Sequence, residues 1–383
     1  MMAAHNPRLD IDLAALCANY RRIAAACPAA EAAAVVKCDA YGLGAEAVGR
    51  ALATMEDCRT FFVAYSEEGA ALREAIGPKP RIFVFNGPFP EYLSAYRAYR
   101  LTPVINTIEQ ARLFAREAPG APAALHFDTG MRRLGLSMGE ADAVSAVSGL
   151  NVTLVMSHLA CASDPAHPMN AAQLSAFAAI AGKFPAAQKS LASSGGALIG
   201  KKFGCDQVRL GVGLYGASPL DERSFPIDPV ARLTAPVIQV HDMRAGETVG
   251  YGATFTADRA LRLATVSLGY GDGFPRAASN RGKAHLNGAL CPIVGRVSMD
   301  LIVLDATKTP QPVKVGDRAE FFGPNRLIDD QAADCGVIGY ELLTGVGGLA
   351  RPRRGLGGRV ERRYFWGDRP ADAGFVGDEG KDA

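Results

Sequence analysis

A lysine at the end of a short apolar run is the first residue of this chain whose position suggests chemistry. The apolar run covers residues 32–36, Lys37 follows it, and a Gly-x-Gly turn begins at Gly42. Such a run is typical of a strand buried on both faces. A lysine at the mouth of a buried strand is a candidate for a lowered pKa and a reactive amine. This stretch alone supports equally a reactive lysine and a lysine that extends into solvent.

Polar residues also follow later apolar runs. They form four groups: Asp128-Thr129-Gly130 with Arg133, Ser157-His158, Ser194-Gly195-Gly196, and Arg209 with Gly211-Val212-Gly213. Taken singly, each group has an ordinary structural explanation, such as a surface arginine, a core histidine or a glycine turn. Taken together, the glycine turns offer free backbone N–H groups to a phosphate, opposite a lysine. Pyridoxal phosphate requires this combination, because its aldehyde forms a Schiff base with a lysine.

The elements that must position these residues alternate between strand and helix. Eight short apolar runs predict strands at residues 32–36, 61–64, 82–85, 101–105, 123–127, 152–157, 189–193 and 207–210. Helical segments separate most of them, and a further helix is predicted at residues 11–26 with Asp10 as its cap. This alternation predicts an α/β fold with an N-terminal (β/α)8 TIM barrel, in which functional residues gather at the carboxyl ends of the strands. An open doubly wound sheet is the alternative, but no clean G-x-G-x-x-G follows the first strand.

The pattern changes to short strands and turns after residues 226–236. We therefore predict a barrel over residues 8–232, a C-terminal all-β domain over residues 233–366, and a disordered tail over residues 367–383. Two tyrosines of the second domain occupy unusual positions. Tyr270 lies in a glycine-bounded turn, where an aromatic lid on a hairpin is the ordinary explanation, and Tyr340 opens a predicted helix.

Composition excludes several classes of function. The 383 residues are 49% hydrophobic and 21% charged, and the net charge of +2 favours neither nucleic acid nor a membrane surface as a partner. No apolar run reaches the roughly 18 residues of a membrane span, and the N-terminus lacks a signal-peptide core. The eight cysteines form no Cys-x-x-Cys pair, so we predict no metal and a cytoplasmic protein with reduced thiols.

Five segments, in order, resemble the alanine racemases, which are fold-type III pyridoxal-phosphate enzymes. The resemblance spans about residues 8–364. The matching segments are residues 35–44, residues 128–135, Val208-Arg209-Leu210-Gly211, residues 268–273 around Tyr270, and residues 294–300, which include Met299. Any one of these matches is modest evidence, whereas five in the same order are strong evidence.

The resemblance implies a role for each site residue. Lys37 would hold the cofactor and exchange the Cα proton on the D face of the substrate, and Tyr270 would do so on the L face. The cofactor phosphate would be held by Tyr41, Ser194, the Val212 backbone and Tyr340. Arg133 and the backbone N–H of Met299 would hold the substrate carboxylate. Arg209 would face the pyridine nitrogen, with His158 beside the ring and orienting Arg209.

The resemblance also implies an activity and an assembly. The expected reaction is the interconversion of L-alanine and D-alanine, which supplies D-alanine for peptidoglycan. The expected assembly is a homodimer with active sites at the subunit interface, because Lys37 and Tyr270 come from different subunits in this family. The alternatives are a broad-specificity or serine racemase and a fold-type III cofactor-binding protein without racemase activity. A decarboxylase of this fold type is disfavoured, because it would carry an acidic residue in place of Arg209.

Three positions depart from the pattern of this family. Many members carry a lysine, often carbamylated, where this chain has His126. Ser193 replaces a common asparagine, and Leu43 replaces the histidine of a Tyr-Gly-His-Gly variant. None of these changes removes a catalytic group. The orientation of Arg133 must nevertheless be achieved without a carbamate, through an anion or through His126 itself.

Overall fold

The computed structural model describes residues 6–349 and 359–371, and its first element is a strand. Residues 11–26 were predicted to be a helix capped by Asp10; instead β1 (Arg8–Asp12) precedes α1 (Leu13–Ala24). Burial alternates along β1, which is the two-residue period of a strand. The cap of α1 is Asp12, whose carboxylate accepts from the N–H groups of Ala14 and Ala15 at 2.8 and 3.1 Å. Asp10 pairs with Arg363 instead.

Eight parallel strands form the predicted barrel, and that prediction is confirmed. They run side by side in the order β8-β7-β6-β5-β4-β3-β2-β9. A parallel bridge between Ser193 and Arg209 joins the two outer strands and nearly closes the barrel. The strands are β2 (Glu31–Val35), β3 (Thr60–Val63), β4 (Arg81–Val84), β5 (Leu101–Ile105), β6 (Pro122–His126), β7 (Asn151–Met156), β8 (Gln188–Ser190) and β9 (Gln207–Leu210).

Helices follow the barrel strands and cover them from outside. Because both faces of the strands are covered, β3 and β9 are buried at every residue. Aromatic rings pack within the barrel, with Phe62 stacked on Phe83 and Phe85 at centroid distances of 4.9 and 5.0 Å. The helices are α2 (Lys37–Tyr41), α3 (Ala45–Met55), α4 (Ser66–Ile76), α5 (Leu93–Ala98), α6 (Ile108–Glu117), α7 (Ala141–Ser145), α8 (Pro168–Ala181) and α9 (Ser194–Leu198).

A second sheet follows the barrel and is organised on one long strand, β10 (Ala231–Met243), which pairs with β1, β13 and β17. The other strands after the barrel are β11 (Thr248–Val249), β12 (Phe255–Thr256), β13 (Leu261–Val266), β14 (Lys283–Leu286), β15 (Ala289–Pro292), β16 (Ile302–Asp305), β17 (Arg318–Phe322), β18 (Glu361–Trp366) and β19 (Arg369–Pro370). Of these, β11 and β12 form a separate two-stranded sheet. The region also contains two helices, α10 (Ile328–Cys335) and α11 (Gly339–Leu349).

The sheet pairing bears on the predicted domain limits. β1 pairs with β10 and β18, so it belongs to the second sheet although it precedes the barrel in sequence. The limit predicted between residues 232 and 233 falls inside β10, and we propose that the second domain begins before Ala231. Within the tail predicted to be disordered from residue 367, Arg369–Pro370 form β19, which pairs with β18. Residues 372–383 of that tail lie outside the described residues.

Helix α11 contacts the turns that carry two of the predicted site residues, and glycine makes both contacts close. A Cβ on Gly347 would lie 2.1 Å from the carbonyl oxygen of Gly42, in the turn that follows Lys37. A Cβ on Gly273, beside Tyr270, would lie 2.2 Å from the carbonyl oxygen of Gly345. Backbone therefore packs directly on backbone at both places. α11 holds the lysine turn and the tyrosine turn of one chain in a set relation.

Within the described ranges, no helix combines the length and apolar character needed to cross a membrane.

We predict that Gly347→Ala destabilises the protein, because the new methyl group pushes α11 away from the Gly42 turn. Overpacking of this kind costs roughly 1–3 kcal/mol. The matched control is Gly348→Ala on the same helix, where an added Cβ meets nothing within 4 Å. Urea unfolding of both variants measures the difference. Equal unfolding free energies for the two would show that the close approach does not matter.

Candidate active site

A cavity of about 750 Å³ opens at the carboxyl ends of the barrel strands. Its size is in the range of small-molecule sites. Predicted site residues from several elements line it: Lys37, Tyr41, Arg133, His158, Ser194, Arg209, Val212 and Tyr340. The structure thus brings these eight side chains and backbone positions together. Tyr270 and Met299 are not among the residues that line this cavity.

Lys37 begins a turn whose backbone is left-handed. The next four residues, Cys38 to Tyr41, have φ values of 53, 56, 52 and 56°. None of them is glycine, and each such residue costs roughly 1–2 kcal/mol in this conformation. The surrounding structure must therefore supply contacts that hold the turn.

Two carboxylates provide those contacts, one from helix α4 and one from the turn itself. Glu68 of α4 accepts from the N–H of Cys38 at 2.7 Å and from the N–H of Ala64 at 2.8 Å. Asp39 accepts from the N–H of Ala45 at 2.8 Å and pairs with Arg362 of β18 at 2.8 Å. The lysine turn is thus attached both to the barrel and to the second sheet.

The amine of Lys37 lies in surroundings that favour its neutral form. Burial is the main cause and lowers its pKa; Cys38 opposes this effect, the charge of Arg133 lowers the pKa further, and Glu68 has a smaller opposing effect. The Nζ atom lies 5.8 Å from the centroid of the Phe85 ring. A neutral amine is the nucleophile that attacks an aldehyde, so the site suits covalent attachment of a carbonyl compound.

Hydroxyl and backbone N–H donors occupy another part of the cavity wall. Ser194 opens α9 and Val212 opens a 3-10 turn, and first-turn N–H groups have no partner within their own helix. A Cβ on Gly211 would lie 2.7 Å from the Tyr41 hydroxyl, so glycine lets this backbone approach the tyrosine. Burial raises the pKa of Tyr41, and it raises the pKa of Tyr340 to about 12, so both remain donors. These donors suit a phosphate.

Arg209 is a buried cation with a set orientation. Its guanidinium donates to the carbonyl oxygens of Ser157 and Ser190 at 2.6 and 2.8 Å and to that of Leu191 at 3.1 Å. Burial lowers its pKa to about 10, which still leaves it protonated at neutral pH. His158 Nδ1 lies 3.4 Å from Arg209 Nη2, and burial together with the Arg209 charge lowers the pKa of this histidine. The neutral ring accepts from Arg209.

The loop that carries Arg133 folds back on the strand that precedes it. Leu136 donates to the carbonyl oxygen of His126 at 2.8 Å, and Asp128 donates to that of Leu136 at 2.9 Å. The Asp128 carboxylate accepts from the N–H of Gly130 at 2.8 Å. Although burial opposes its ionisation, backbone N–H groups of the loop lower its pKa. The loop is held closed, and Arg133 lines the cavity with an exposed side chain that a small anion can reach.

The residues around the cavity fit pyridoxal phosphate. A lysine with a lowered pKa, a set of phosphate donors and a permanent cation lie around one space of suitable volume. Glycine at position 211 leaves the room that a Cβ would fill. Within the described part of the chain, no group of three His, Cys, Asp or Glu side chains could hold a metal ion.

Sequence reasoning missed three residues that support the site. Asn86 lines the cavity, Asn106 hydrogen-bonds His126, and Glu68 holds the lysine turn. Asn86 and Asn106 each follow a predicted strand, at its carboxyl end, so the rule that identified the other residues would have found them. Glu68 lies within a helix and belongs to no motif, so only the tertiary structure reveals it.

Tyr270 and Met299 lie together, away from the cavity lining of their own chain. The N–H of Tyr270 donates to the Ser298 carbonyl at 3.0 Å, and the N–H of Gly271 donates to the Met299 carbonyl at 2.8 Å. Tyr270 is 41% exposed and Met299 is 56% exposed. Asp272 anchors this turn by accepting from Arg359 at 2.6 and 3.0 Å.

The chain matches family models and solved structures along most of its length. The alanine racemase N-terminal domain model matches residues 11–219, and the alanine racemase C-terminal domain model matches residues 230–354. A Bartonella henselae alanine racemase, whose crystal structure has covalently bound pyridoxal phosphate, has a TM-score of 0.85 and 34% identity over 94% of this chain and 99% of that one. The biosynthetic alanine racemase of Pseudomonas aeruginosa has a TM-score of 0.84 and 34% identity over the same shares.

Sequence identity to two further relatives is higher. A protein of Agrobacterium fabrum named as a catabolic alanine racemase is 44% identical over 348 residues, 88% of this chain and 89% of that protein. A Methylobacterium alanine racemase is 44% identical over 369 residues, 94% of this chain and 98% of that protein. Because these matches extend over both parts of the chain and agree with the site geometry, the chain belongs to the alanine racemase family.

Proposed function

We propose that this protein interconverts L-alanine and D-alanine with pyridoxal phosphate as its cofactor. The observation that carries the proposal is the cavity in which Lys37, Arg209 and the phosphate donors meet. Membership of the alanine racemase family supports the same reaction. Among the residues that the structure describes, no contact favours serine or a larger amino acid over alanine.

Each part of the cavity has a role in holding the cofactor. Lys37 would bind its aldehyde covalently, and the Tyr41, Ser194 and Tyr340 hydroxyls and the Val212 N–H would hold the phosphate. The cofactor, when bound, withdraws electrons from the Cα atom of an attached amino acid and so weakens the Cα–H bond. Arg209 would face the ring nitrogen. Because it keeps its own proton at neutral pH, it would not act there as an acid.

Substrate binding and proton transfer fall to other groups. Arg133 is suited to a bidentate contact with the substrate carboxylate, supported by the N–H of Met299. Racemisation requires that a proton leave one face of Cα and return on the opposite face. Two bases on opposite faces achieve this without turning the substrate. We assign Lys37 to the D face and Tyr270 to the L face.

The position of Tyr270 supports a homodimer with its active sites at the subunit interface. Tyr270 does not line the Lys37 cavity of its own chain. The segment that contacts the Tyr270 turn exposes two further large apolar side chains, Met299 and Leu301, at 56% and 38%. A second copy that covered this surface would bury them and bring Tyr270 to the Lys37 cavity of its partner.

The cellular role that we propose is the supply of D-alanine for peptidoglycan. The names of the similar proteins include both a catabolic and a biosynthetic enzyme, so growth of a deletion strain with and without D-alanine decides between these roles. We also propose a cytoplasmic location, which the scattered spacing of the eight cysteines, with no Cys-x-x-Cys pair, supports.

We predict that Lys37→Ala abolishes the visible absorbance of the purified enzyme, because the covalent link to the cofactor is lost. The matched control is Lys314→Ala, since Lys314 is an exposed lysine far from the cavity lining. The control should keep the native absorbance and activity. Absence of a visible band in the native protein supplied with pyridoxal phosphate would refute the proposed function.

We predict that Tyr270→Phe keeps the cofactor absorbance but lowers racemisation roughly 10²–10⁴-fold, the usual contribution of a general acid or base. Proton NMR in deuterium oxide follows loss of the Cα proton from each enantiomer separately, and so tests the two bases one at a time. Exchange of the Cα proton of D-alanine through Lys37 should persist, whereas exchange from L-alanine should be lost. Tyr92→Phe, at an exposed tyrosine of the barrel, is the control. Equal loss of exchange for both enantiomers would contradict the two-base assignment.

We predict that mixing the inactive Lys37→Ala and Tyr270→Phe chains restores activity. In a mixed dimer one site receives Lys37 from one chain and Tyr270 from the other. Random exchange in an equal mixture would give about one quarter of the native sites. If both residues served the same chain, unfolding and refolding the mixture would restore nothing, and the interface assignment would be wrong.

A further inference from the structure

His126 lies beside the Arg133 loop, and the structure defines its protonation state. The side-chain amide of Asn106 donates to the carbonyl oxygens of Phe85 and Val104, both at 2.9 Å. These two bonds use both amide hydrogens and leave Asn106 Oδ1 as an acceptor only. This oxygen lies 2.8 Å from His126 Nδ1. The hydrogen therefore resides on His126 Nδ1.

The other ring nitrogen of His126 is left with a lone pair. His126 is only 9% exposed, and burial together with the charge of Arg209 lowers its pKa to about 4. Arg133 acts in the same direction, while Asp128 opposes it. At neutral pH the ring carries a single proton, which Nδ1 holds. Nε2 is an uncharged acceptor on a residue that lines the cavity.

One cation of the cavity is available to that acceptor. Arg209 uses its guanidinium on backbone and hydroxyl oxygens, and Lys37 is assigned to the cofactor. Arg133 makes no hydrogen bond or ion pair within residues 6–349 and 359–371, although it lines the same cavity as His126. A guanidinium has five N–H donors, so it can donate to Nε2 and still present a fork to a carboxylate.

We propose that His126 is a positioning residue whose Nε2 accepts a hydrogen bond from Arg133 when substrate is bound and so orients Arg133 for the substrate carboxylate. This inference rests on the proposed function for the identity of that carboxylate. A neutral acceptor orients the guanidinium without cancelling its charge. An anionic acceptor in the same place would compete with the substrate for Arg133 and would raise the pKa of Lys37.

Two substitutions separate the proposed contact from the structural role of the ring. His126→Asn keeps a side-chain N–H that can reach Asn106 but has no atom in place of Nε2. His126→Gln places an amide oxygen near the position of Nε2. We expect His126→Asn to raise the KM for alanine roughly tenfold, the effect of losing a hydrogen bond to a charged group, with a smaller change in kcat. His126→Gln should restore the native KM.

Four further measurements do not depend on turnover. Binding of propionate, a carboxylate probe, should weaken roughly tenfold in His126→Asn and be restored in His126→Gln. The ¹⁵N NMR spectrum of native His126 should show a protonated Nδ1 and an unprotonated Nε2. Cofactor absorbance and thermal unfolding should be the same in all variants, which distinguishes a positioning role from damage to the fold.

Several results would overturn the proposal. Equal KM values for the His126→Asn and His126→Gln variants would show that Nε2 makes no contact with Arg133. A KM that depends on chloride would show the same, since an anion would then hold Arg133. In an Arg133→Ala background, His126→Asn should have no further effect on propionate binding. A persistent effect there would show that His126 does not act through Arg133. A different result would refute the proposed function instead. The native protein would then bind propionate and give the expected ¹⁵N spectrum but would not racemise alanine.

Discussion

The left-handed turn after Lys37 is the constraint on which the rest of the site depends. It runs through Cys38, Asp39, Ala40 and Tyr41, none of which has the freedom of glycine. It lets one short segment place an amine at the mouth of β2 and the Tyr41 hydroxyl beside Gly211. The contacts that hold it come from α4 of the barrel, from β18 and from α11. The strained turn therefore needs both parts of the chain, and the second sheet contributes to the cofactor site without lining most of it.

The electrostatics of the cavity follow from this arrangement. Lys37, Arg133 and Arg209 bring three basic groups to one space. His126 and His158, which also line it, are neutral, because burial and the arginines lower their pKa values. Repulsion and burial favour a neutral lysine, which a nucleophile requires. Positive charge also attracts an anionic cofactor and a substrate carboxylate. His158 accepts a hydrogen bond from Arg209 without removing that charge, and the role proposed for His126 toward Arg133 is of the same kind.

The two proposed bases are separated by chain topology and linked by one helix. α11 packs against the Gly42 turn through Gly347 and against the Gly273 turn through Gly345. In the proposed dimer, these two turns of one chain would serve different active sites. The same helix would then carry Tyr340 at one phosphate site while supporting the Tyr270 turn that completes the other.

The sequence by itself determined the barrel and the residues at its strand ends. The predicted strand bounds 101–105 and 207–210 agree with β5 and β9, because short, buried apolar runs have a clear local pattern. The pattern also identified the lysine, the arginines and the glycine turns that line the cavity. It failed at β1, whose last two residues were predicted as the start of a helix, because its partners β10 and β18 lie more than 200 residues away in sequence.

Only the tertiary structure decided how these residues are held. The left-handed turn, the Glu68 contact, the His126 tautomer and the glycine contacts of α11 all arise between segments that are distant in sequence. Their energies depend on burial and on distances of a few ångströms, which residue types and spacing do not specify. The exposed position of Tyr270, outside the cavity of its own chain, is likewise decided by the tertiary structure. A motif names the residue, whereas packing determines which cavity it can reach.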